Sequence, residues 1–173
     1  MNDKADKHKS RRSRWRRWAL DILLVFVVVF AVQAWKTRNM PVGEAPPLEG
    51  RLLDGSKVSL ADYRGKPLLV HFWATWCPVC RTEESSLNSI ARDHPLLTVA
   101  TTSGTGAEVK KYMVENGLDF PVINDESGLL GSAWGIHGVP ASFILDAEGK
   151  IRHLSVGYTT EWGLRFRLWL ADF

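Results

Sequence analysis

The order of apolar runs predicts an α/β domain of three layers, with a mixed sheet between helices. Two short apolar runs, Leu68–Trp73 and Leu96–Thr101, are separated by a stretch of helical period, the strand–helix–strand order of a parallel pair. Ala141–Leu145 and residues 151–156 then flank Asp146-Ala147-Glu148-Gly149, which reads as an antiparallel hairpin, and a last helical stretch follows. About 125 residues lie beyond position 48, enough for one self-sufficient core.

The leader reads as a separate unit. Residues 1–17 form a basic tail, and residues 1–18 hold eight basic groups (Lys4, Lys7, Lys9, Arg11, Arg12, Arg14, Arg16 and Arg17) against Asp3 and Asp6. Residues 18–35 are apolar apart from Asp21 and Gln33, with Trp18 and Trp35 at the two edges. Eighteen residues rising 1.5 Å each span ~27 Å, just enough to cross a hydrocarbon core. The charge bias would keep the tail in the cytoplasm and export everything after Trp35. A cleaved signal peptide is the alternative, since Val32-Gln33-Ala34 offers small residues at suitable spacing. Of 22 basic and 19 acidic groups, residues 19–173 keep 14 and 17, a net −3. The basic pI therefore belongs to topology and not to nucleic-acid binding.

Residues 36–48, with Pro41, Gly43, Pro46 and Pro47, read as an extended linker, and residues 49–173 as the folded domain. Residues 51–53 and Lys57–Ser59 around Asp54-Gly55 signal a hairpin. Leu68–Trp73 is a central strand, residues 78–93 one helix with an inward face of Leu87, Ile90 and Ala91, and Leu96–Thr101 the next strand. Residues 107–116 are helical and stop at Gly117; residues 127–134 form a further short helix. Thr160 caps a final helix through Leu170, in which Trp162, Phe166, Trp169 and Leu170 are expected to pack. Trp73 and Trp134 are assigned to the core.

Cys77-Pro78-Val79-Cys80 contains the only two cysteines, directly after the central strand. They can pair with each other, hold a metal, or attack another molecule's sulfur. At the start of a helix, unpaired N–H groups and the dipole of the first turn favour negative charge on Cys77. Pro78 is tolerated as the first helical residue because its missing N–H has no helical partner there. Cys80 lies one turn inside and faces back, so one sulfur can attack and its neighbour resolve the mixed disulfide. The same two thiols could hold a soft ion such as Cu(I), with His137 or His71 as a third ligand. Zinc is disfavoured, because no second C-x-x-C and no H-x-x-x-H accompanies them.

Residues 72–83, Phe-Trp-Ala-Thr-Trp-Cys-Pro-Val-Cys-Arg-Thr-Glu, resemble the active-site segment of the membrane-anchored TlpA/ResA/DsbE-like proteins, which have the thioredoxin fold. Residues 52–67 are similar to the N-terminal hairpin and lead-in of that group. Residues 120–123 and 135–146 are similar to its distal half, and the resemblance spans about residues 45–173. The Cys-Pro-Val-Cys pair more narrowly resembles the suppressor-of-copper-sensitivity (ScsD-like) branch. The resemblance implies a thioredoxin fold with an N-terminal β-hairpin, and thiol:disulfide exchange through Cys77 and Cys80 without an organic cofactor. Pro140 would be a cis-proline opposite the cysteines, with Val139 offering its backbone and Trp76 a wall to an extended substrate. Protein thiols and disulfides would be the substrates, and a membrane or periplasmic donor or acceptor of the DsbD/ScsB type would reset the pair. The alternatives are a copper-handling protein using the same cysteines with His137, or a reductant of apocytochrome c thiols, a role of some members of the group. Glu83 matches an acidic residue kept near the thiols in the ResA-like group. Two positions depart from the pattern. His71 stands where thioredoxins have a buried Asp and the TlpA-like group often an Asn, which nominates it to accept the Cys80 proton. Ser85 stands where the family often has a helix-kinking proline, so a straighter first helix is expected.

Overall fold

The computed structural model describes Trp15, Trp18, residues 20–29, Ala31, Val32 and residues 40–172. The basic tail apart from Trp15, parts of the apolar run 18–35, and residues 36–39 lie outside the described residues. Residues 20–29 are helical, and among the described residues no helix is long and apolar enough to cross a membrane. Residues 1–38 and 39–173 are separate compact units.

In the second unit the strands are β1 (Gly43–Glu44), β2 (Glu49–Arg51), β3 (Lys57–Ser59), β4 (Leu68–Trp73), β5 (Leu96–Thr101), β6 (Val122–Asp125), β7 (Ala141–Leu145) and β8 (Lys150–Val156). The helices are α1 (Pro78–Arg81), α2 (Glu84–Ile90), α3 (Gly106–Glu115), α4 (Leu129–Ala133) and α5 (Glu161–Leu170). Six strands form a mixed sheet in the order β1-β8-β7-β4-β5-β6. β4, β5 and β6 run parallel, whereas β7 is antiparallel to β4 and β8 to β7. β2 and β3 make the expected hairpin, docked to β6 through a Leu52–Ile123 bridge.

β4 is buried over its whole length because both of its faces are covered. Leu69 and Trp73 point to a core shared with Leu87, Ile90, Val109, Met113 and Leu164. Leu68, Val70 and Phe72 point to the opposite core with Leu48, Trp134 and Phe143. The two-residue period of a strand therefore puts His71 on the Trp73 face, beneath the cysteine-bearing helix. Trp134 stacks edge-on against Phe143 at 4.9 Å between centroids, an apolar pairing that anchors α4.

Three expectations need correction. The segment after position 39 does more than link, for Met40 and Leu48 are buried and β1 pairs with β8. The single helix over residues 78–93 is two helices and ends at Ile90. At the break the Thr82 N–H donates to Val79 O and the Glu83 N–H to Cys80 O, three residues back instead of four. The Thr82 hydroxyl also donates to Val79 O at 2.7 Å, so a side chain tightens the turn without proline. In α5 the packed stripe is Leu164, Leu168 and Ala171; Trp162, Phe166, Trp169 and Leu170 are exposed. Both stripes have helical spacing, and polar bonds fix which one turns inward. Arg165 donates to Asp93 at 2.7 Å, to Glu161 at 2.8 Å and to Ser89 at 3.1 Å, tying α5 to the end of α2.

This assignment of faces is testable by urea unfolding. Leu164→Ala should cost about 2–5 kcal/mol, and Trp162→Ala no more than about 0.5 kcal/mol. Equal losses would contradict the assignment.

Candidate active site

After β4 the chain turns through residues 74–76, and the Cys77 N–H donates back to Ala74 O at 3.1 Å. Cys77 is extended (φ −87°, ψ 111°) and occupies the capping position before α1, with Pro78 first in the helix. Its Sγ accepts a hydrogen bond from the Cys80 N–H at 3.2 Å, the role a serine or aspartate oxygen commonly fills at this position. A sulfur so placed meets an N–H that would otherwise have no helical partner. The thiol also lies 3.7 Å from Val139 O.

Cys80 is in a different situation. Both cysteines are free thiols and both are buried, Cys77 4% and Cys80 1% exposed. Burial first, then the hydrogen bond with Cys77 and the negative charges of Cys77 and Glu83, hold the Cys80 thiol far above the usual range. Ionising it requires a nearby group to take the proton.

The structure brings one such group, Glu83, to the same place as His71, and burial keeps His71 from accepting the proton, the role for which the sequence nominates it. Glu83 is 1% exposed; its Oε1 accepts the Thr159 N–H, and its Oε2 has no hydrogen-bond partner. Burial pushes its carboxyl up to about 7, against the opposing Thr159 bond. His71 is fully buried, with Nδ1 2.9 Å from Ser142 Oγ and Nε2 without a hydrogen bond. Burial takes its pKa down to about 3, so the imidazole is neutral at physiological pH. Its Nε2 lies 3.8 Å from Glu83 Oε2. The separation would suit an ion pair, but desolvation disfavours charge on both partners, and the contact is one of two groups competing to stay neutral.

Around the sulfurs, Trp76 is 60% exposed and donates from Nε1 to Thr102 O at 3.0 Å. Thr102 has a positive φ of 46°, and the neighbouring Thr75 N–H is held by Ser103 Oγ at 3.1 Å. The Val139–Pro140 peptide is cis. Trp76, Thr102, Ile136, His137 and Val139 line a shallow cavity of about 250 Å³ beside Cys77. His137 is exposed on its rim. Among the described residues no group of three or more His, Cys, Asp or Glu side chains is placed to hold a metal, so Cys77, Cys80 and His137 do not form the alternative copper site. Ser142 and Thr159, which hold the outer ends of the His71–Glu83 pair, were absent from the sequence reading. Ser142 is legible afterwards as the β7 residue registered opposite His71; Thr159 lies in the loop after β8 and carries no local signal.

Comparison with known proteins gives a consistent picture. The AhpC/TSA family profile matches residues 42–154. A thioredoxin-like protein of Haemophilus influenzae is 32% identical over 156 residues, covering 89% of this chain and 93% of its own. The thiol:disulfide interchange protein DsbE of Pseudomonas fluorescens is 32% identical, covering 84% of this chain and 88% of its own. Among solved structures, a putative DsbE from Chlorobium tepidum superposes with a TM-score of 0.69 at 25% identity, over 77% of this chain and 99% of its own. The exposed lipoprotein thioredoxin Etrx1 of Streptococcus pneumoniae does so with a TM-score of 0.64 at 28% identity, over 72% and 99% respectively. With a cysteine pair at a helix tip and a thioredoxin-like sheet behind it, the chain belongs to the AhpC/TSA family and is a thiol:disulfide oxidoreductase of the DsbE/ResA type.

Proposed function

We propose that this enzyme works on the periplasmic side of the inner membrane, tethered by residues 18–35, and exchanges disulfides with exported proteins through Cys77 and Cys80. The observation that carries the cysteine roles is their inequality. Both sulfurs are buried, but Cys77 Sγ receives an N–H and is flanked in sequence by exposed Trp76, Pro78 and Val79, whereas Cys80 lies a turn deeper in the helix and is held protonated. Cys77 is then the sulfur that meets a substrate disulfide. Its thiolate forms a mixed disulfide and expels one substrate sulfur. Cys80, once its proton has passed to Glu83, attacks Cys77 Sγ and releases the second substrate sulfur. Substrate lies against Trp76 and along the Val139 backbone beside Pro140, as a short added strand. The tether rests on the basic tail and the apolar run of the sequence. The oxidised or reduced pair is reset by a membrane or periplasmic partner of the DsbD/ScsB type.

Cys77→Ser should abolish exchange, and Cys80→Ser should accumulate adducts on Cys77 that dithiothreitol releases. Adduct-free Cys80→Ser protein from cells would contradict the assignment.

Glu83 gives the resolution step a distinctive pH profile. The carboxylate is the proton-accepting form, and burial places its titration at about 7. The rate should therefore rise with pH up to about 7 and then level. In Glu83→Gln it should fall on the order of 10²-fold at neutral pH and keep climbing with hydroxide concentration. Stopped-flow tryptophan fluorescence across pH 5–9 checks this; identical profiles would remove Glu83 from the step.

A further inference from the structure

The two orphaned atoms at the His71–Glu83 contact belong to a nearly closed loop of polar groups. His71 Nδ1 meets Ser142 Oγ at 2.9 Å, and Ser142 is registered across the sheet from Ser155. Ser155 Oγ accepts the Thr159 hydroxyl at 3.3 Å, and the Thr159 N–H returns to Glu83 Oε1. The Ser142 and Ser155 side chains share no hydrogen bond, and the gap that strands buried atoms is between His71 Nε2 and Glu83 Oε2, at 3.8 Å about 1 Å beyond a hydrogen bond. Both atoms are buried and unpartnered, an arrangement that costs stability while it lasts. A small side-chain rotation closes the gap and satisfies both at once.

Imidazole suits that gap because either nitrogen can carry its proton. With the carboxyl protonated, Oε2–H donates to Nε2, and Nδ1–H donates to Ser142 Oγ. With the carboxylate, Nε2–H donates to Oε2, and Nδ1 accepts the Ser142 hydroxyl proton. Between these arrangements the group as a whole gives up one proton, His71 remains neutral, and no polar atom is stranded in either.

We propose that His71 is a positioning residue that lets buried Glu83 exist in both protonation states, by exchanging tautomers against the Ser142 hydroxyl as Cys80 gives up or regains its proton. This rests on the exchange reading above. Other ionisable groups nearby do not compete for the role. From α1 the pair faces Cys80 and Cys77, while β7 contributes Ser142 and the β8 side Ser155 and Thr159. Glu84 of α2 is bonded to Tyr112 of α3, and Glu161 of α5 to Arg165 and Ser89. His153 of β8 feels Arg152 and Arg167.

Nitrogen NMR of the reduced full-length chain with labelled histidine reads the tautomer directly. Its His71 signals are those missing from His71→Asn or, should that variant not fold, those perturbed in Ser142→Ala. Between pH 5 and 9 the His71 proton should move from Nδ1 to Nε2 while the ring stays neutral, and Glu83→Gln should abolish the movement. Ser142→Ala, which removes the partner of Nδ1 in both arrangements, should displace this transition and the levelling pH of resolution together; a merely structural serine would leave both in place. A His71 that keeps one tautomer throughout, or that takes a second proton in this range, overturns the inference. Exchange assays on the same samples separate the two claims. Activity with a fixed tautomer refutes only the role of His71, and a switching tautomer without exchange refutes the functional reading.

Discussion

Everything at the active end of this molecule depends on β4 being buried on both faces in the middle of the sheet. Its partners β5 and β7 hold it by hydrogen bonds on either side, and two separate apolar cores clamp it from above and below. A strand so fixed delivers Cys77 to one place with little freedom, four residues after its end. It also dictates that His71, two residues before Trp73 on the same face, lies under the helix that carries Cys80. The His71 side chain is thus placed by the pleat and held by Ser142, and its chemistry follows from where the pleat puts it.

The consequence is a division of labour between two chemically identical side chains. Cys77 caps the helix and accepts the Cys80 N–H. Cys80, three residues later, is enclosed and resists ionisation. The break between α1 and α2 contributes to this arrangement. Tight backbone bonds at Thr82 and Glu83 turn the Glu83 carboxyl inward to meet Thr159 and His71, at a position where an exposed glutamate would be ordinary. An acidic side chain buried without a cation is costly. Its raised titration point shows how the protein accommodates that cost, by keeping a proton close to the sulfur that must lose one.

How much of this could be read from the chain alone follows from the range of the forces involved. β4, β5 and β7 have the bounds expected from their apolar runs, and Thr160 caps the last helix through its hydroxyl, because these features are local. The inward face of α5 is not legible locally because two stripes of helical spacing compete there, and Arg165 ties the helix down through residues 72 and 76 positions away. The helix break carries no proline, the usual sequence signal for one, because a threonine hydroxyl achieves the same turn. β1 went unseen because a two-residue edge pairing has no periodicity to detect. At the site, the cysteine pair is visible from spacing, and Glu83 and His71 could be nominated. Their meeting, and the Ser142 and Thr159 anchors behind them, depend on strand register and on a loop from the far end of the chain.

The most direct test is whether the two thiols form one reversible bond with each other. Equilibrating the reduced protein with graded glutathione buffers and counting free thiols by mass spectrometry should give a single two-electron transition, with Cys77 and Cys80 lost together and recovered together. Persistence of both thiols across the whole range, or oxidation only to glutathione adducts that never resolve, would contradict the account.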